Sequence, residues 1–175
     1  MIKKLMVLSA WFLVMMLLPA SADAAQQGFD DKEIRIGQWG PQTGPAAPWG
    51  SVARGSGLLF NEVNEQGGIH GRKIKYFIRD DQYNPAQTKA VVKELVEREG
   101  VFAFVGGVGG ACGLAVMDYL QEKKVIWVGP SAAITQFVFP AKPYVFAVYP
   151  LYEDEGSILT KFVVEKLKAK KSGFF

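Results

Sequence analysis

Thiols are nearly missing from this sequence: Cys112 is the single cysteine in 175 residues, so no disulfide can close within the chain. Histidine is equally scarce. His70 stands alone, in a turn unrelated to Cys112, and with no third group to orient them the two do not make a nucleophile and base. An excess of one charge is also absent. Twenty Lys and Arg face 17 Asp and Glu, a formal +3 that implies no nucleic-acid partner. Lys161, Lys166, Lys168, Lys170 and Lys171 have no stacking aromatics among them and read as a wet helix face. No complete GxGxxG spacing or Walker lysine is present, and Asp80-Asp81 lacks the converging ligands that a metal needs. No cofactor is expected.

Long apolar runs are absent after the first 18 residues. Leu5 to Leu18 follows Lys3 and Lys4, spans about 14 residues against the roughly 20 of a membrane-crossing helix, and leads to Pro19 and Ala20-Ser21-Ala22-Asp23-Ala24. That pattern is a secretory signal peptide over residues 1–24, with cleavage expected after Ala24. Its removal takes two lysines and one aspartate, which lowers the formal charge by one. The mature protein is therefore expected to be soluble and outside the cytoplasm, in the periplasm.

What remains is rich in core-forming residues, with 49% apolar and 13% aromatic over the whole chain. Short apolar runs alternate with amphipathic stretches, and Gly, Pro and Asn mark the changes. Strands are expected at Ile34-Arg35-Ile36, 74–78, 101–105, 125–128 and 144–148. Helices are expected over 51–65, from Pro85 behind an Asn84 cap, after the glycines at 106–110, and over 153–170. In the first helix Val52, Leu59 and Val63 lie near one face. In the second, Val91, Leu95 and Val96 turn inward; in the third, Leu114, Met117 and Leu120 mark the apolar side. The unbroken run at 101–105 implies burial on both sheet faces. Strand-helix units in this order give an α/β fold with a three-layer parallel-sheet lobe. Phe174-Phe175, after Ser172-Gly173, reads as the opening of a further strand, so the sequence is expected to be an N-terminal fragment.

A parallel sheet presents its binding loops beyond the carboxyl ends of its strands, which here singles out 40–50, 106–112 and 129–135. The glycine loop either aims backbone N–H groups and a helix start at an anion such as a carboxylate, or merely lets a strand turn tightly into a helix. Ser131 offers a hydroxyl and a backbone donor to the same ligand, or else caps a turn. Trp49 forms an apolar wall over a ligand, or packs on the adjacent helix. Asp80 and Asp81 are expected at a strand end and in capping.

Several of these segments occur in a recognisable order: Gly40-Pro41-Gln42-Thr43-Gly44, Trp49-Gly50, Asn64 to Lys73 with its Gly67-Gly68-Ile69-His70-Gly71-Arg72-Lys73, Asp80-Asp81 with Pro85, Val105-Gly106-Gly107, and Gly129-Pro130-Ser131-Ala132. Together they resemble the branched-chain amino acid, leucine-binding-protein-like family of periplasmic substrate-binding proteins, the type I group that serves ABC importers. The resemblance spans residues from about 33 to 175. It implies two α/β lobes with the ligand enclosed between them: residues 25–149 forming the first lobe, and 150–175 opening a second that is largely missing. It also implies a non-enzymatic protein that delivers an amino acid or related small carboxylate or amide to an ABC permease. A ligand-sensing domain of a signalling receptor is the alternative with the same fold. The ligand-binding residues it implies are Trp49, Gly109, Gly110, Ala111, Ser131, Ala132 and Ala133. Small hydroxyl residues that grip an amino acid in many family members are matched here by Gly110, Ala111 and Ala133, a departure from a leucine-type site.

Overall fold

The computed structural model describes residues 28–171 and 173. The expected signal peptide over 1–24, its cleavage site, and Phe174-Phe175 lie outside the described residues. Strand β1, Glu33–Gly40, becomes buried along its last five residues because it is flanked on both sides. It pairs in parallel over its whole length with β2, Lys73–Asp80, from Glu33 against Lys73 to Gly40 against Asp80. On its other side Ile36 and Gly37 pair with Ala103 and Phe104 of β3, Ala103–Val105. The sheet continues through β4, Ile126–Val128, to β5, Val145–Phe146, giving the order β2-β1-β3-β4-β5 with every pairing parallel.

Alternation along β1 sends successive side chains to opposite faces. Ile36 meets Ile74 and Ala103 on one face, where Phe60 and Val63 of helix α1, Ser51–Glu65, cover them. Trp39 points to the other face and packs with Phe104 and Trp127, their ring centroids 5.2 and 5.0 Å from its own. Helix α2, Pro85–Glu94, its continuation Leu95–Glu99, and helix α3, Gly110–Glu122, close that side with Val92, Leu95, Val116 and Leu120. The result is helix, sheet and helices in three layers. Each large side chain buried in this core contributes up to about 3 kcal/mol, so cohesion does not depend on a disulfide. Cys112 is a buried free thiol.

Local chemistry sets the helix ends. Asn84 accepts hydrogen bonds from the N–H groups of Ala86 and Gln87 at 2.9 and 3.3 Å, and Pro85 fills the first helical position, as expected. Helix α1 runs over the expected residues, with Gly67 and Gly68 at positive φ just beyond it.

Several elements differ from expectation. In α1, Ala53, Phe60 and Val63 meet the sheet, while Leu58 and Leu59 are 73% and 58% exposed. Phe102 is exposed at the entry to β3, and Leu114 is exposed on α3. The fifth strand has only two residues, pairing with Trp127 and Val128, rather than the expected run over 144–148. Helix α4, Tyr152–Glu165, stops five residues before the expected Lys170. Lys166, Lys168, Lys170 and Lys171 therefore lie beyond the helix rather than along its face, and Lys168 has a φ of 53°.

Candidate functional site

All five strands run in the same direction, so the segments that leave their carboxyl ends gather on one edge. Trp49 follows β1, in a single 3-10 turn spanning Ala47–Gly50. Tyr83 follows β2, Val108 and Gly109 follow β3, Ser131 to Ala133 follow β4, and Tyr149 and Tyr152 follow β5. These residues surround a two-part cleft. The larger part, of about 320 Å³, is bounded by Trp49, Val108, Ser131, Ala133, Tyr149 and Glu155. A recess of about 180 Å³ reaches Tyr83, Gly109 and Gly110 and shares Trp49, Ser131 and Tyr152 with it.

The expected residues thus fall together, with one exception. Trp49, Gly109, Gly110, Ser131, Ala132 and Ala133 all line the cleft, whereas Ala111, exposed in the first turn of α3, lines neither part. Trp49 is 65% exposed and so is not packed away against the adjacent helix. The Ser131 N–H is not free for a ligand. It donates to the Gly107 carbonyl at 2.9 Å, joining the two loops and leaving the hydroxyl as that residue's available donor. Within the glycine loop, Gly106 N–H donates to Val128 and Val108 N–H to Trp39, so these too are spent. The unspent donors are those of the first turn of α3, where Gly113 is the first to close a helical bond, onto Gly109. Gly109 has a φ of 101°, a conformation that side-chain-bearing residues rarely adopt.

The loop carrying Tyr83 is held from beneath. Asp81 is fully buried and accepts from Thr88 Oγ1 at 2.7 Å and from the Tyr83 N–H at 3.0 Å. Burial pushes its carboxyl up, and these hydrogen bonds only partly counter that. Burial likewise raises the Cys112 thiol, with the Thr88 hydroxyl opposing and the Asp81 charge adding to it. Cys112 is thus a protonated packing residue. Asp80 does different work: it accepts from Gln42 N–H at 2.8 Å, Thr43 Oγ1 at 2.5 Å and Gln82 N–H at 3.0 Å, tying the loop after β1 to the end of β2. Burial raises its carboxyl, but those donors outweigh it and hold the group below the usual carboxylate range. Helix capping falls to Asn84 rather than to either aspartate. Among the described residues no group of three potential metal ligands occurs.

Helix α4 is fastened to the same edge. Tyr152 N–H donates to the Ala133 carbonyl at 2.9 Å, and Thr135 Oγ1 donates to Glu153 at 2.5 Å. Sequence reasoning missed Tyr83, Val108, Tyr149, Tyr152 and Glu155 as lining residues. The rule that placed the other loops at strand carboxyl ends also applies to the segments after β2 and β5, so Tyr83 and Tyr149 were within its reach. Val52, on the first turn of α1 and expected to share a face with Leu59 and Val63, borders the cleft.

Comparison with known proteins places the chain. The model of a family described as periplasmic binding protein matches residues 33–175. The leucine-, isoleucine-, valine-, threonine- and alanine-binding protein of Pseudomonas aeruginosa is 30% identical over 138 residues, covering 78% of this chain and 37% of its own. Among solved structures, a fatty acid ABC transporter substrate-binding protein from Thermomonospora curvata is 27% identical with a TM-score of 0.75, covering 86% of this chain and 38% of that one. The branched-chain amino acid transporter substrate binding protein of Streptococcus pneumoniae, in complex with isoleucine, is 29% identical with a TM-score of 0.72, covering 79% and 40%. This chain therefore spans well under half the length of these relatives.

Proposed function

Because the chain belongs to the periplasmic binding protein family, we propose that it is part of an extracytoplasmic solute-binding protein that carries an amino acid or a related small carboxylate or amide to an ABC permease. The carrying observation is the convergence of five strand-end segments on one cleft that reaches Gly110, at the start of α3, and has aromatic rings around it. A concave, mostly apolar site with a few fixed donors suits a small ligand that has one polar end. The positive end of α3 favours an anion there, and a carboxylate supplies the acceptors that the first-turn donors lack. The names of the relatives fit this reading, since they bind branched-chain and other amino acids or serve fatty acid transport.

In this proposal the described residues form one wall of the site, and closure of a second lobe over the ligand produces the form that docks on the permease. Residues 1–24 direct export, and the mature protein works in the periplasm without a cofactor. The family and the binding-protein names of its relatives support a task of binding rather than turnover. A thermal-shift screen of the complete mature gene product against amino acids, small carboxylates, amides and sugars tests the proposal. Stabilisation by at least one compound of the first three classes is expected. Stabilisation by sugars alone, or by nothing, overturns it.

A further inference from the structure

Resting on that reading, we infer that Gln38, which lies beneath the cleft rather than on its surface, is a positioning residue for it. Its amide holds the glycine loop and the first turn of α1, which border the cleft from two sides, in fixed relation to each other. Gln38 is fully buried on β1 and shares a sheet face with Ile36, the face that α1 covers. Burying an amide there carries a desolvation cost that a methionine of similar length would avoid, so filling space does not account for it.

On one side the amide packs under Gly106. A β-carbon added to Gly106, whose φ is 81°, would stand 2.5 Å from Gln38 Nε2 and 2.8 Å from Cδ. The next residue of β1 does the same on the opposite sheet face, where a β-carbon on Gly107 would meet the Trp39 ring at 2.5 Å. The two glycines therefore rest on consecutive β1 side chains, and Val108 and Gly109, which follow them, line the cleft.

On the other side the Tyr76 hydroxyl of β2 donates to Gln38 Oε1 and stands 3.2 Å from the Ala53 carbonyl, in the first turn of α1. Ala53 follows Val52, which borders the larger part of the cleft together with Trp49. Phe60 of α1 steadies the Tyr76 ring edge-on, with centroids 4.9 Å apart. Burial pushes the phenol up to about 12, so it keeps the hydrogen that the link needs. A phenol has one hydrogen, however, and two oxygens face it, while Gln38 Nε2 has no partner among the described residues. Exchanging the two ends of the amide answers both: Nε2 donates to the phenol oxygen, and the hydroxyl donates on to Ala53. Gln38, Tyr76 and Ala53 then form one directed chain from under the glycine loop to α1.

Hydrogen–deuterium exchange of the complete mature gene product, read by mass spectrometry over residues 106–110 and 51–57, tests the inference. Gln38→Met keeps the length and removes the amide, and Tyr76→Phe removes a single oxygen. Each variant is expected to exchange about fivefold or more faster than the parent in both segments, with residues 114–122 of α3 unchanged. The double variant should be no faster than the quicker single one, because both changes break the same chain. Unchanged exchange, a rise in one segment alone, a rise spread over the whole sheet, or additive effects in the double variant would each overturn the inference. If Gln38→Met does not fold, Tyr76→Phe alone carries the same test. Solute binding is judged apart, by the thermal-shift screen, so the expected exchange with no stabilising compound overturns that function and not the link.

Discussion

The ring of Tyr83 lies against the α-carbon of Gly109, so closely that a β-carbon added to the glycine would stand 2.8 Å from Tyr83 Cε2. Two loops from opposite sides of β1 meet there, and the contact exists only because position 109 has no side chain. Gly109→Ala therefore meets both a steric conflict with the ring and an unfavourable φ of 101°. It is expected to destabilise the protein by about 2 kcal/mol, read as a lower midpoint in chemical denaturation. Tyr83→Ala in the same background should recover part of the loss. No recovery would show that backbone conformation alone sets the cost.

Gly110 separates a backbone role from a side-chain role at the same helix start. Its β-carbon would point to Ile134, 3.4 Å from Cγ2, and its φ is not in the left-handed region. Gly110→Ala should leave stability within about 0.5 kcal/mol of the parent, while Gly110→Val presses on Ile134 and costs more. Equal melting temperatures for the two variants would contradict this packing.

Trp49 has little to lose on removal from the free protein, being 65% exposed. If it walls the ligand, Trp49→Ala weakens binding by about 2 kcal/mol while the melting temperature of the unliganded protein hardly moves. Paired titration and thermal melts check this. A lower melting temperature with unchanged affinity would assign the indole to packing instead.

The Asp81 carboxyl is raised in the folded protein by burial, so its contribution to stability has a definite sign with pH. A carboxyl raised above its unfolded value favours the fold most when protonated. That contribution is complete below the unfolded value of 3.8 and is lost as pH climbs through the folded one. Asp81→Asn keeps an oxygen for Tyr83 N–H, and its new amide can donate to Thr88 Oγ1, whose hydroxyl already reaches the Asn84 carbonyl at 2.9 Å. Denaturation midpoints measured from acid to neutral pH should show the variant gaining on the parent as pH rises. A gap that narrows with rising pH would refute the assignment.

Asn84 supports the same loop from the helix side. Asn84→Ala removes an acceptor shared by two N–H groups and should cost about 1 kcal/mol, with Asn84→Ser recovering most of it. Urea denaturation of the three proteins reads this directly.

The sequence made α1 legible because Gly67-Gly68 stops it and its apolar spacing starts it, and Asn84-Pro85 marked α2 through a side-chain cap that acts within three residues. Signals that depend on distant partners were weaker. Leu59 shares a helical face with Val52 and Val63, yet the sheet meets α1 at Ala53, Phe60 and Val63, and only the placement of β2 decides that rotation. The apolar run at 144–148 does not reveal that β5 finds a partner only at Trp127 and Val128. In the cleft, the loops at Trp49, Gly109 and Ser131 followed from strand direction alone. The spent Ser131 N–H did not, because its acceptor, Gly107, belongs to another loop. Tyr152 is set in place by α4 docking on Ala133, a contact with no local pattern.

The strand order has a kinetic consequence. The chain adds β2 on one side of β1 and then returns across it to lay β3 on the other, so β1 must wait for partners from two well-separated stretches of sequence. Each pairing closes a long loop before any compensating contact forms, which makes such parallel sheets slow to assemble. The cleft draws a residue from every strand end, and so a molecule that recognises it ignores every partly assembled chain. If the proposed ligand binds there, its occupancy reports finished assembly and lags behind the appearance of helix signal during refolding.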